Sequence, residues 1–359
     1  MDFSFTDEQQ MLRDGVARYL EKDYHFDARQ KIVRGEAPWS AEAWAQYAEF
    51  GLLALPIAEQ AGGLGGSISD CVAVAELFGK HLVVEPYLGS VMLAGAALAA
   101  SDAGSEWLGE VMAGEAVAAF AYEEGKGTAS PDHIEAVAAP AGDGFTIVGE
   151  KRLVLAGKQA GLLVVAARRG EGGPVGLFLV EPAGVEAQDF TTIDGCSAAH
   201  LVFDNASATL LADNRATIDR ILTHAIIVQC AEAVGAMQAL LAITADYAMT
   251  RKQFGTPIAA FQVVAHRLAD MKIACTKARA TLLYTTALAE AGQAGAREIA
   301  TLKGQTGKLG RQVGEAAIQT HGGVGMTDEL SVSHYHKRLL ALDARFGSHD
   351  YHLRTLGAR

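Results

Sequence analysis

The sequence predicts an α+β protein with an N-terminal helical domain, a central small β-sandwich or barrel, and a C-terminal helical bundle. Three observations predict it. Apolar residues recur at helical spacing in the first third of the chain. From about Ala116, short β-rich runs alternate with Gly and Asp turns. After Thr217 the helical period returns and holds to the end. The domains expected are therefore 1–115, 116–214 and 215–359.

Each element has its own signal. Thr6 followed by Gln9 has capping-box spacing, and an amphipathic helix over 8–21 follows it. Further helices are expected over 41–50, 69–78 and 89–100. Leu55-Pro56 leads into Gly62-Gly63-Leu64-Gly65-Gly66, a cluster that permits tight turns and is weak as a phosphate loop; a flexible connector is expected there. Strands are expected over 117–122, 136–140, 145–148, 162–167, 176–180 and 200–203. Residues 218–251, 262–291 and 297–321 each read as one long helix, apolar nearly all round at its middle, as in a bundle interior.

Composition narrows the function. The 359 residues are 50% hydrophobic and 20% charged, as in a globular chain. With 42 acidic against 30 basic residues the net charge is −12, which argues against nucleic acid and against an anionic membrane surface. The bland stretch 90–100 is too short to cross a bilayer. Residues 1–5 lack the cationic segment and apolar run of a signal peptide, so a cytoplasmic location is expected. Cys71, Cys196, Cys230 and Cys275 have no CxxC spacing and read as reduced thiols, with no metal site.

Two segments carry most of the information. In Arg251-Lys252-Gln253-Phe254-Gly255-Thr256-Pro257-Ile258, followed by Phe261-Gln262, glycine and proline force a turn and place Arg251 in the last helical turn. Arginine forks onto phosphate oxygens, and Phe254 is suited to lie on a purine face; a helix end with an ordinary cation is the alternative. The second segment is Gln319-Thr320-His321-Gly322-Gly323-Val324-Gly325-Met326.

These two runs resemble the R-K-Q-F-G and Q-x-x-G-G-x-G signatures of the acyl-CoA dehydrogenase family. Phe5-Thr6-Asp7-Glu8-Gln9 and Leu55-Pro56 with its glycine loop fit as well, so the resemblance covers the whole chain. It implies a C-terminal four-helix bundle, FAD, an acyl-CoA thioester, and a FAD shared across a subunit interface. Carried over, Arg251 would neutralise the pyrophosphate of a neighbour's FAD. Phe254 would pack on its adenine, with Gln253, Ile258 and Phe261 around it, and Gln319, Gly322 and Gly323 would reach it from the second motif.

The resemblance also exposes departures. The family's reaction takes an α-proton with a carboxylate while the flavin accepts a hydride. The usual glutamate of a Y-E-G-T turn falls at Phe346 in Arg345-Phe346-Gly347-Ser348, and the alternative base position falls at Ala225. Neither takes a proton. Ser348 keeps a hydroxyl where threonine is usual. The family's T-E-P-x-A-G-S-D loop is here Tyr122-Glu123-Glu124-Gly125-Lys126-Gly127-Thr128, and its W-I-T segment is Leu153-Val154-Leu155.

What the chain would lend to a neighbour's FAD is thus kept, and what it needs for its own is lost. The expected protein is the base-lacking subunit of a heteromer, an α2β2 tetramer with a paralogous subunit that carries the glutamate, similar to the two-chain acyl-CoA dehydrogenases of steroid side-chain degradation. Two other readings stay open: an active homo-oligomer with Asp343 or Asp350 as relocated base, sharing a helix face with position 346, and a cofactor-free scaffold. Glu232, alone in the apolar run 225–242, is expected to be paired with a cation. His334, His336, His349 and His352 read as a surface or interface cluster, and Glu123-Glu124 as a solvated face.

Overall fold

The computed structural model describes residues 6–36, 39–125, 127, 128 and 130–358. Readings that rest on Met1 to Phe5 or on Lys126 lie outside these residues. The N-terminal elements are α1 (Asp7–Asp23), α2 (Phe26–Val33), α3 (Ala41–Glu49), α4 (Ile68–His81), a π-helical stretch Tyr87–Gly95 that runs into α5 (Ala96–Leu98), and α6 (Ser105–Ala113). The strands are β1 (Ala118–Ala121), β2 (Val137–Ala141), β3 (Gly144–Leu155), β4 (Leu162–Arg169), β5 (Val175–Val180), β6 (Glu186–Thr191) and β7 (Ser197–Ala212). Then follow α7 (Arg215–Thr250), the two-residue strands β8 (Lys252–Gln253) and β9 (Thr256–Pro257), and α8 (Gln262–Glu290), α9 (Ala296–His321), α10 (Ser331–Ala344) and α11 (His349–Gly357). The predicted capping box forms at α1, where Thr6 and Gln9 exchange side-chain and backbone bonds.

The chain forms two compact units. One comprises Lys31–Cys71 and Val84–Ala225. Its sheet closes on itself: β4 pairs with β2 and β5, β7 with β3 and β5, and β2 with β3, while β1 extends from β4 and β6 from β7. Closure removes free edges, so this is a barrel. Ala121, Ile147, Val154, Leu163, Val165, Phe178, Leu201 and Phe203 fill it.

Two expectations for this unit need correction. Glu124 does not lie on a solvated face: its carboxylate pairs with Lys151 at 2.6 Å and accepts from the backbone of Glu135 and Ala136. The Lys151 side chain is 0% exposed and needs that counter-charge. The glycine cluster at 62–66 is not a loose connector. Its amides bond back to Ala58, Ala54, Ile57 and Leu55, and a Cβ on Gly63 would fall 2.2 Å from the Ile57 carbonyl oxygen.

The other unit comprises Met1–Gln30, Val72–Val83 and Ile226–Arg359. Here α4 and α7 cross with reciprocal glycines. A Cβ on Gly79 would lie 1.8 Å from the Glu232 carbonyl oxygen, and one on Gly235 would lie 1.9 Å from that of Glu76. Only glycine admits backbones this close. Glu76 is buried beneath Arg13 and Arg279, at 3.1 and 3.2 Å. Along α9, Gly307, Gly310 and Gly314 form a trough that receives Asp343, Leu339 and His336 of α10.

The apolar length of α7 exceeds that of 90–100. By length and composition it is sufficient to cross a membrane, but 72% of its most apolar window is buried inside the protein, as in a core helix.

Candidate functional site

The first motif is a tight hairpin just past the end of α7. Arg251 stands one residue beyond the helix, not in its last turn; its amide still bonds to the Tyr247 carbonyl at 2.8 Å, and its own carbonyl accepts from Ile258 at 2.9 Å. β8 and β9 pair across Phe254-Gly255, whose φ values of +52° and +82° are those a two-residue hairpin turn demands. A phenylalanine in that conformation stores strain of about 1–3 kcal/mol. The residue is 94% exposed, its ring set edge-on to Phe261 with centroids 6.1 Å apart. Arg251 and Gln253 are exposed and Ile258 and Phe261 half-buried; the Arg251 guanidinium makes no ion pair among the described residues.

The second motif closes α9. Gln319, Gly322 and Gly323 are exposed, and a Cβ built on either glycine meets nothing within 4 Å. The fold itself thus does not crowd Gly323. Gly325 differs, since a Cβ there would meet the His321 side chain at 2.8 Å.

Three residues to which the sequence assigned no role of their own hold the two motifs together. His321 stacks on Tyr247 of α7 with ring centroids 4.3 Å apart, and Tyr247 donates to the His321 carbonyl at 3.5 Å. Arg267 of α8 reaches Thr320 at 3.5 Å. Burial keeps the His321 imidazole below its usual pKa, although its Nδ1 lies 2.9 Å from the Ala317 carbonyl. The aromatic-to-histidine spacing of 74 residues gave no local signal.

Phe346, the position that the motif count assigns to the base, lies in the turn between α10 and α11, so neither aspartate shares a helix face with it. Phe346 and Gly347 have φ of +54° and +85°, and Phe346 is 5% exposed. Asp343 is committed elsewhere. Its Oδ1 accepts from the His349 amide at 2.8 Å, its Oδ2 meets His349 Nδ1 at 2.6 Å, and Lys303 Nζ lies 4.0 Å away. Asp350 is exposed on α11, 3.5 Å from His349 Nε2. Ser348 caps α11, accepting from the Tyr351 amide at 3.4 Å. Ala225 is fully buried. Glu232 pairs with Arg338 at 2.5 Å, the cation expected for it, and Arg338 also donates to the Val83 carbonyl at 2.8 Å.

The four histidines do separate things. His334 faces Arg29, Gln30 and Asp328; His336 lies in the α9 trough; His349 holds Asp343; His352 Nε2 lies 2.9 Å from the Phe346 carbonyl. Burial pushes the His352 imidazole down to about 4, against the opposing effects of that carbonyl and Asp343. The unfolded ring titrates near about 6.5. A lowered folded pKa means the fold accepts the neutral ring, so its contribution is complete above about pH 6.5 and is lost as pH falls toward about 4. The expected result is a melting midpoint that declines across that window, with a shallower decline in His352→Gln; an equal slope would remove His352 as the cause.

Comparison with known proteins decides the family. The family model "Acyl-CoA dehydrogenase, N-terminal domain" matches residues 6–124, and "Acyl-CoA dehydrogenase, C-terminal domain" matches residues 215–359. The chain belongs to the acyl-CoA dehydrogenase family. It is 27% identical to acyl-CoA dehydrogenase FadE27 of Mycobacterium tuberculosis, over 99% of this chain and 98% of the relative. It superposes on a chain of the ChsE4-ChsE5 complex of the same organism with a TM-score of 0.91, at 27% identity, covering 100% and 98% of the two chains. A variant of the Tcur3481-Tcur3483 steroid ACAD gives 0.90 at 26%, covering 98% and 97%.

Acyl-CoA dehydrogenases are flavoproteins that oxidise CH–CH bonds with FAD. The dinucleotide half of that cofactor suits the first two motifs: an exposed cation, a strained exposed aromatic, and a glycine pair with open space where backbone N–H groups can approach phosphate. The positions that the resemblance assigns to the flavin side suit it less. Leu153 and Leu155 are half-buried on β3, without an aromatic face or a hydroxyl, and Glu124 of the preceding loop is spent on Lys151.

Proposed function

We propose that this chain is the base-lacking subunit of a heteromeric, FAD-dependent acyl-CoA dehydrogenase, and that it completes the dinucleotide site of a paralogous partner. The observation that carries the reading is Phe346: the position that the motif count assigns to the family's proton acceptor holds an apolar, buried side chain, and Asp343 nearby is locked between Lys303 and His349. Support for a partner comes from the relatives, whose names join two different chains. The assembly proposed is α2β2, and the substrate proposed is a CoA thioester on a steroid side chain; one of those relatives is named a steroid ACAD.

In this reading Arg251 neutralises the pyrophosphate, Phe254 covers the adenine, and Gln319 and the Gly322-Gly323 backbone complete the grip. When bound, FAD supplies the hydride acceptor. The α-proton goes to the partner's carboxylate, because the 343–348 turn here presents none that is free to take it. A positioned base contributes roughly 10²–10⁴-fold in rate, so the chain alone should lack measurable turnover.

The test is purification with and without the partner. Expressed alone, the chain is expected to hold little FAD and to desaturate no acyl-CoA; with the partner, the complex should carry about one FAD per unlike pair. A lone chain with stoichiometric FAD would overturn the assignment.

A further inference from the structure

Inside the helical unit, α7, α9 and α10 line a small cavity whose wall is mostly apolar, with Gln229, Cys230, Lys303, Thr306 and Asp343 as its polar members. Two side-chain oxygens on facing helices border it without a protein partner: Oε1 of Gln229 and Oγ1 of Thr306. These residues are 1% and 2% exposed. The Cys230 thiol is close to Thr306 but does not reach it in hydrogen-bond geometry, and burial holds that thiol up at about 11. A buried hydroxyl or amide oxygen left without a partner costs about 1–3 kcal/mol, so two on residues that line one cavity call for a shared partner.

The cavity sets the size of that partner. The space open to the centre of a water molecule is ≈ 10 Å³, room for one water and nothing larger. Glycine at 307 leaves room for the Asp343 carboxylate, since a Cβ there would strike Asp343 Oδ1 at 2.0 Å.

We propose that one ordered water is bound in this cavity as a structural ligand, bridging Gln229 Oε1 on α7 to Thr306 Oγ1 on α9. Its place gives it a positioning task. The amide nitrogen of the same Gln229 donates to the Leu342 carbonyl, and Lys303 Nζ donates to the carbonyls of Leu342 and Asp343 at 3.0 and 2.7 Å. The last turn of α10, four residues before Phe346, is thereby tied to α9 through Lys303 and to α7 through Gln229, the side chain that the water orients. It fixes the Gln229 amide with its nitrogen toward α10.

The sign of one substitution tests this. Thr306→Val keeps the shape and removes the hydroxyl. With the water in place, the change strips it of a partner, and the melting midpoint of the purified chain or complex is expected to fall by about 2–4 °C. With no water, the same change relieves an unpaired hydroxyl, and a midpoint that rises would overturn the proposal. Thr306→Ser should restore the wild-type value. Independently of any variant, a crystal structure finer than about 1.8 Å should show a density peak about 2.6–3.2 Å from both oxygens. Absence of that peak, or a Gln229 amide turned with its nitrogen into the cavity, would equally overturn it.

Discussion

Asp343→Asn is expected to destabilise the chain by about 3 kcal/mol, near the lower end of what removing one partner of a buried ion pair costs. That corresponds to a first melting transition lower by about 6–12 °C. The reason is the company Asp343 keeps. Its carboxylate accepts from the His349 amide and imidazole, and it is the counter-charge for a Lys303 ammonium buried beneath α10. Asparagine keeps one acceptor but leaves that ammonium without a negative partner at this position. Lys303→Met should destabilise in the same direction, and the double variant should cost less than the sum of the two, because the residues share one network. The relocated-base reading makes the opposite forecast, with turnover lost and folding intact. Measured on the assembled complex below its melting transition, Asp343→Asn should retain wild-type kcat; a loss of several orders with an unchanged midpoint would revive Asp343 as the base.

The same residue shows where a sequence stops being readable. The family motifs located the 343–348 turn, and counting from Gly322 placed Phe346 in the base position. Whether Asp343 was solvated or locked depended on Lys303, 40 residues away, and on glycine at 307. Glu124 was misread for the same reason, since its partner Lys151 is 27 residues on. Glu232 was read correctly because a lone acid inside an apolar helix has few stable states, and pairing is the commonest. Long helices were legible because α7, α8 and α9 repeat one pattern over many turns. β6 was not, because all six of its residues are exposed and nothing alternates. The π-helical stretch Tyr87–Gly95, buried throughout, carries no periodicity that distinguishes it from an α-helix. α10 and α11 fell within the stretch read as helical after Thr217, but without bounds of their own. Their packing is written instead in the glycines of α9, which have meaning only once the partner helix is known.

Arg251→Glu is expected to cost the heteromer its FAD while leaving the isolated chain as stable as before. The separation of these effects follows from exposure. Arg251 stands beyond the end of α7 with no ion pair among the described residues, so the fold loses nothing with it. If the guanidinium meets the pyrophosphate of a partner's cofactor, the substitution removes a charge-assisted bond of about 1.5–3 kcal/mol and sets a carboxylate against phosphate. FAD retention in the complex should then weaken by about 100-fold or more, read as flavin absorbance after gel filtration. Arg251→Lys should fall between the two, because it keeps the charge and loses the planar fork. The effect should also shrink on raising salt, since an exposed ionic contact is screened within about 10 Å at 0.1 M. Phe254 strengthens the expectation from a different direction. A strained, almost wholly exposed aromatic at a hairpin tip contributes little to the chain that carries it, and its position makes sense as a surface for another molecule's ring. An Arg251→Glu heteromer that retains its full complement of FAD would show that this hairpin faces something other than the partner's dinucleotide.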